Sequence, residues 1–354
     1  MQSSVPAIHR NAFCDSEGYR DTLFHAYLAA DPLAYIDIGA RGGEHAIVEP
    51  MASATRILAF EPDAAECTRL ETELKKNSPW ASIEIIARAL AGTNGPATLH
   101  HFKSPLNDSL RAANPHFVSR YRVASLAPNG QSELTTTTLD DLLSSENRFK
   151  NGHGDFVKVD AQGADLDILR ASTRMLSEQT VALLVEVEFC DIYLNQPHFS
   201  EVEIFLRSQG FVFYGFHGTN HRSHRHLDKS QTAGRERMIW ADAIFFKDPL
   251  DKEPALSLSP RSVTALMASA CMLGYHDFAI ELAEKLFSGD SRQKSTVDFI
   301  RRFAAISSRE IADSVKALQK SIEKNSDNRS PLVALGKFID SWRRLPNYDE
   351  FPNS

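Results

Sequence analysis

An acid closing an apolar run, two glycines after it and a second acid further on form the first pattern in this chain that can do chemistry. In Tyr35-Ile36-Asp37-Ile38-Gly39-Ala40-Arg41-Gly42-Gly43-Glu44-His45 the run ends in Asp37, and Gly39 and Gly43 follow in a D-x-G-x-x-x-G spacing. Glycines there let the backbone turn tightly and let a ligand approach with no Cβ in the way. A helix beginning near Glu44 would aim its free amides at that ligand. A nicotinamide site needs G-x-G-x-x-G, and arginine at position 41 breaks that spacing.

The second acid is Glu61 in Phe60-Glu61-Pro62, 24 residues after Asp37 and at the end of the next apolar run. A carboxylate there can accept both hydroxyl hydrogens of a ribose. Asp37 suits a ligand with an ammonium and no phosphate, such as the methionine end of S-adenosylmethionine.

The elements that must hold these groups alternate. Strand signals fall at 34–38, 56–61, 82–87, 97–102, 155–160, 181–188, 211–216 and 243–247. Several are near-continuous apolar runs, as expected of strands covered on both faces. Helical stripes lie between them: Cys67, Leu70 and Leu74; Leu166, Leu169, Thr173 and Leu176; Val202, Phe205 and Leu206. The fold class is therefore α/β, a doubly wound sheet. No helical pattern separates the last two strands, so one of them runs antiparallel.

Prolines and charges at 249–260 read as a linker, after which helix formers dominate. Leu266, Ala270 and Leu273 form one stripe and Phe278, Leu282 and Leu286 another, with Gly274 between. Residues 273–287 look like the second half of a tetratricopeptide-type hairpin, with further helices expected at 294–307 and 309–324. The expected organisation is an N-terminal helical segment (1–33), an α/β domain (34–248), the linker, an all-helical domain (261–345) and a tail (346–354).

Composition narrows the classes. The 354 residues are 42% hydrophobic and 24% charged, which excludes a disordered polymer. Lys and Arg number 39 against 46 Asp and Glu, a net charge of −7, so no general attraction to nucleic acid or anionic membrane is expected. No apolar run approaches the roughly 20 residues of a membrane span. Arg10, Asp15, Glu17, Arg20 and Asp21 leave no apolar core for a signal peptide. Cys14, Cys67, Cys190 and Cys271 are far apart, which fits reduced thiols in a cytoplasmic protein and no zinc site.

Taken together, IDIGARGGEHA (36–46), AFEPDAAECTRLETEL (59–74), ARAL (87–90), NDSL (107–110), TTLDDL (137–142), DFVKVDAQGADLDILR (155–170), LLVEVE (183–188), YLNQPHFSEVEIFLRSQGF (193–211) and WADAIFFK (240–247) resemble the FkbM family of S-adenosylmethionine-dependent methyltransferases. The resemblance implies a class I, Rossmann-like methyltransferase sheet with an antiparallel last strand, S-adenosylmethionine as cofactor, and methyl transfer to a hydroxyl oxygen. By position, Asp37, Gly39, Ala40, Arg41 and Gly43 look like the cofactor turn, Glu61 and Pro62 like the ribose end, and Ala89 and Leu90 like the adenine contact. Asp160 falls beside the methyl end. Arg41 stands where the family commonly has asparagine, and Asp165 replaces the glutamate usual after Gly163. The expected acceptor is a hydroxyl of a sugar, glycan precursor or secondary metabolite. The alternative is a degenerate, methyltransferase-like adaptor acting through its C-terminal helices, which offer a surface for a protein partner or for self-association.

Methylating an alcohol requires a general base. Lys158 and Asp160 share one strand face, as do Glu186 and Glu188. Asp160 or Glu188 can orient or deprotonate the acceptor with Lys158 tuning it; the competing reading is a Lys158–Glu186 pair that joins two strands. Asn107 and Ser109 are candidates for substrate contact from the family position alone. His217, His221, His224 and His226, with Arg222 and Arg225, read as a solvated loop at the active-site rim. His217 and His221 are candidate substrate contacts of a basic lid, and no metal is expected there.

Overall fold

A computed structural model describes residues 11–43, 45–75, 78–145, 154–224, 226, 236–251 and 256–324. Its strands are β1 (Leu33–Ile38), β2 (Thr55–Glu61), β3 (Ser82–Ala87), β4 (Ala89–Leu90), β5 (Gly95–Phe102), β6 (Pro128–Thr137), β7 (Phe156–Val159), β8 (Ala182–Glu188), β9 (Val212–Arg222) and β10 (Arg237–Phe246). Seven of them form one sheet in the order β3-β2-β1-β7-β8-β10-β9. β10 runs antiparallel to both β8 and β9, and so is the antiparallel last strand. The other pairings are parallel. Strand order reverses between β1 and β7, the place where such sheets bind ligands beyond their carboxyl ends.

The expected strand at 97–102 is β5, but it stands outside this sheet. It pairs antiparallel with β6, and β6 pairs with β4, in a small second sheet. β6 (PNGQSELTTT) is mostly exposed and carries no apolar alternation, which is why the pattern did not mark it as a strand.

The helices are α1 (Ala12–Asp15), α2 (Leu23–Leu28), α3 (Ala64–Lys75), α4 (Pro115–Tyr121), α5 (Leu139–Ser145), α6 (Asp165–Arg170), α7 (Thr173–Glu178), α8 (Phe199–Ser208), α9 (Pro260–Met272), α10 (His276–Leu286) and α11 (Gln293–Lys324). Strand alternation divides the apolar residues between two faces. Ile36, Ile38, Val157, Val159, Leu183 and Val185 turn to a core shared with α5–α8. Leu33, Tyr35, Phe156, Ala182, Leu184, Ile244 and Phe246 turn to the opposite core.

That second core is built by the two ends of the chain. α2, α9, α10 and the start of α11 supply Leu23, Phe24, Leu266, Ala270, Leu282 and Phe299 to it. The Phe13 ring centroid lies 4.8 Å from those of Phe299 and Phe303. Leu23 N donates to Thr296 Oγ1 at 2.9 Å. Arg261, in the first turn of α9, bonds Asp155 and donates to the carbonyl oxygen of Pro32 at 2.8 Å. The apolar stripes of α9 and α10 thus face the sheet and the N-terminal helices. Two helices were expected at 294–307 and 309–324; the structure has one, because no glycine or proline interrupts α11. The four cysteines are unbridged. Among the described residues no helix is long and apolar enough to cross a membrane.

Phe299 is 1% exposed. Phe299→Ala is expected to cost about 3–5 kcal/mol in chemical denaturation and to lower the midpoint of one cooperative transition. A loss confined to a separate early transition would show that the helices fold independently of the sheet.

Candidate functional site

A cleft of about 1050 Å³ opens at the carboxyl ends of β1, β2, β7 and β8. The glycine turn forms one wall. Gly39 has φ +79°, and a Cβ there would fall 1.9 Å from the Asp160 carbonyl oxygen, so the turn packs directly on the end of β7. Gly39 N and Ala40 N both donate to Phe60 O, at 3.1 and 3.0 Å. These amides therefore fasten the turn to β2. The helix expected near Glu44 is absent: Glu44 itself lies outside the described residues, and 3-10 turns at His45–Ile47 and Glu49–Ala54 follow. Pro50 accounts for this, since it lacks an amide donor and restricts the residue before it.

Gly39 and Arg41 line the cleft, as do Pro62, Ala89 and Leu90, while Ala40 and Gly43 do not. Asp37, expected at the ligand, is fully buried and off the cleft wall. In the alternation of β1 it follows Leu33 and Tyr35 onto the helix-covered face, where Lys158 Nζ lies 3.4 Å from its Oδ1. Glu61 is on the wall, 2% exposed. Its Oε1 accepts from Asp63 N at 2.9 Å and from Arg41 Nη2 at 3.1 Å, and Arg41 also reaches Asp63 Oδ2 at 2.8 Å. Burial raises the Glu61 pKa against the downward pull of the Asp63 amide and Arg41. Arg41 thus sits on the acid expected to hold the ribose.

The floor is acidic. Asp37 pairs in register with Lys158, Glu186 with Asp242, and Glu188 with Trp240. Lys158, 5% exposed, reaches Asp37 and also Asp160 Oδ2 at 3.6 Å. Gln162, held at φ +51°, donates through Nε2 to Asp160 Oδ1 at 2.7 Å and to Glu186 Oε2 at 3.0 Å. Its Oε1 accepts from Tyr193 at 2.7 Å. Lys158, Asp160, Gln162, Glu186 and Glu188 all line the cleft. Asp165 closes the turn beneath them by accepting from Ala161 N at 2.8 Å and Gly163 N at 3.0 Å.

These acids crowd one another. Burial pushes Asp165 up to about 6. Burial, then repulsion from Asp160 and Glu188, raises Glu186; burial, then Asp165 and Asp160, raises Glu188. The Glu186, Glu188 and Asp165 carboxylates each bring an oxygen within 4.8 Å of the others.

The opposite wall is apolar, built from Phe102, Phe117, Val123, Leu126, Ile192 and Ile239, with Trp240 half-buried beside them. Asn107 and Ser109 border the cleft. The Ser109 hydroxyl is taken up by the fold, donating to Gln162 O at 2.7 Å and accepting from Arg111 N at 2.9 Å. His217 and His221 correct the loop reading: both are residues of β9, and only His221 reaches the cleft. His224 accepts from Arg120 at 3.3 Å and stacks on His226 at 5.4 Å; Arg225 lies outside the described residues. The residues that the sequence reading missed are Gln162, Tyr193 and Trp240. The Gln-Gly step between Asp160 and Asp165 was the available signal for Gln162.

The profile of the methyltransferase FkbM domain matches residues 37–213. The chain belongs to the FkbM methyltransferase family. Among solved structures it is similar to an FkbM methyltransferase from Methylobacillus flagellatus (14% identity, TM-score 0.34), over 61% of this chain and 44% of that one. The chain thus spans less than half of the Methylobacillus protein. Others are magnesium protoporphyrin IX methyltransferase from Synechocystis with bound S-adenosylmethionine (12%, TM-score 0.32, 65% of this chain and 80% of that one) and TrmK from M. capricolum with S-adenosylhomocysteine (8%, TM-score 0.31, 78% and 92%). No curated protein matches.

S-adenosylmethionine is the cofactor that membership of this methyltransferase family implies. The cleft fits it in donor chemistry: Glu61 for ribose hydroxyls, and Ala89 and Leu90 as an apolar flank. Arg41 competes for this acid, because it holds Glu61 Oε1. Arg41→Asn is therefore expected to tighten S-adenosylhomocysteine binding by about fivefold in calorimetry, the equivalent of roughly 1 kcal/mol for such a pair. Weaker binding would mean that Arg41 holds the cofactor itself.

A carboxyl group raised in the fold keeps a proton that the unfolded chain has released. It therefore stabilises below its unfolded pKa, and that stability is lost as pH rises through the folded value, about 6 for Asp165. Glu188→Gln is expected to gain in unfolding temperature relative to wild type as pH goes from about 5 to about 8. A constant difference across that range would rule out the buried repulsion.

Proposed function

We propose that this methyltransferase acts on a hydroxyl oxygen of a sugar, glycan precursor or secondary metabolite. The observation carrying this reading is Asp160. It is the acid of the floor whose side chain is 28% exposed, and it lines the same cleft as the apolar wall and Glu61. S-adenosylmethionine supplies, when bound, a methyl group already activated on a sulfonium. What remains for the protein is alignment and removal of the hydroxyl proton. Gln162 and Lys158 steady the two oxygens of Asp160, and Asp160 accepts that proton. The apolar wall and the Trp240 ring suit a flat or partly apolar acceptor.

Asp160→Asn is expected to lower kcat by about 10²–10⁴-fold while S-adenosylhomocysteine affinity stays within about twofold of wild type. Parallel losses would make Asp160 a cofactor ligand instead. Methyl transfer from labelled S-adenosylmethionine into a fractionated extract identifies the acceptor; label on nitrogen or carbon would reject the hydroxyl reading. An adaptor with a degenerate domain would not bind S-adenosylhomocysteine at all.

A further inference from the structure

We infer that Asp165, Glu186 and Glu188 form a binding site for a hard divalent cation, Mg²⁺ or Mn²⁺, on the floor of the cleft. The three carboxylates are 3%, 8% and 4% exposed. Each presents one oxygen within 4.8 Å of the other two. Metal–oxygen lengths of about 2.0–2.6 Å put the oxygens of one coordination shell roughly 3–5 Å apart, so a single ion can meet all three with little movement. The donors are all oxygen, which selects a hard cation over zinc or copper.

A second observation points to a ligand independently of that spacing. Glu188 Oε1 is buried and has no hydrogen-bond partner among the described residues. A buried carboxylate oxygen left unmatched is costly, and Glu188 is one of the group of three. Its neighbours are already committed: Glu186 Oε2 accepts from Gln162, and Asp165 accepts from two backbone amides. Those bonds hold the two carboxylates in position, as outer partners do for metal ligands. Lys158 reaches Asp37 and Asp160, while Asp242 adds a further acid in register with Glu186.

Glu186 and Glu188 line the cleft, as does Asp160, and Asp165 lies off its wall. An ion there would keep free positions towards the acceptor. On the reading that the acceptor is a hydroxyl, the ion would polarise that oxygen while Asp160 takes its proton. Cation binding itself does not depend on that reading.

The test uses the full chain without acceptor, titrated with Mn²⁺ and followed by the loss of the free-ion electron paramagnetic resonance signal. About one equivalent is expected to bind with a dissociation constant below ~1 mM, and Mg²⁺ is expected to displace it. Glu188→Gln and Glu186→Gln should each weaken Mn²⁺ binding at least about tenfold, while Glu133→Gln on the small sheet leaves it unchanged. S-adenosylhomocysteine binding, measured in parallel by calorimetry, reports on the fold and on the methyltransferase reading separately. Wild-type protein that binds no Mn²⁺ in this range overturns the site whatever the variants do. Mn²⁺ binding that survives in both variants overturns it as well.

Discussion

One face of the central sheet changes character along its length, and the site depends on that change. Near the amino ends of the strands this face carries Leu33, Tyr35, Phe156 and Leu184, sealed by α2 and α9. At the carboxyl ends of the parallel strands the same alternation presents Asp37, Lys158 and Glu186, with Asp242 of the antiparallel β10 beside Glu186. Charges in the middle of a sheet are tolerated only where they are paired or meet a ligand. Lys158 stands in β7, between the glycine turn of β1 and the acids of β8. From there it ties the buried Asp37 at the end of β1 to Asp160 on the acidic floor.

The turn after β7 does comparable work with backbone. Asp165 gathers the amides of Ala161 and Gly163, and Gln162 is left in a left-handed conformation with its amide group over the floor. From that position it links Asp160, Glu186 and Tyr193. A shorter acid at position 165 than the family's usual glutamate still reaches both amides, because they come from its own turn.

How much of this could be read from the chain follows from the range of the forces involved. The apolar strands, the paired acids and the need for glycine at position 39 were legible, because burial, period-two alternation and backbone sterics are local. β6 was not, since a polar, exposed strand gains its identity from its partner. The histidines at 217 and 221 looked like loop residues, although pairing with β10 carries β9 out to Arg222. Asp37 showed its place at a strand end but not the direction of its side chain, which the sheet face decides. Arg41 was visible as a departure from the family; that it lies on Glu61 depends on two strand ends meeting in space.

The core shared by α2 and α11 has a consequence for how the polypeptide reaches this state. The hydrogen bond from Leu23 to Thr296 joins residues 273 positions apart. At a synthesis rate of about 5–20 residues per second, that separation is roughly 14–55 s on the ribosome. Throughout that interval Phe13 and Phe24 have been made while the Phe299 ring that packs on both has not. A nascent chain of this kind holds an adhesive surface open until the segment around Thr296 has been synthesised, so its yield in a cell would respond to chaperone supply and elongation speed more than to the stability of the folded state.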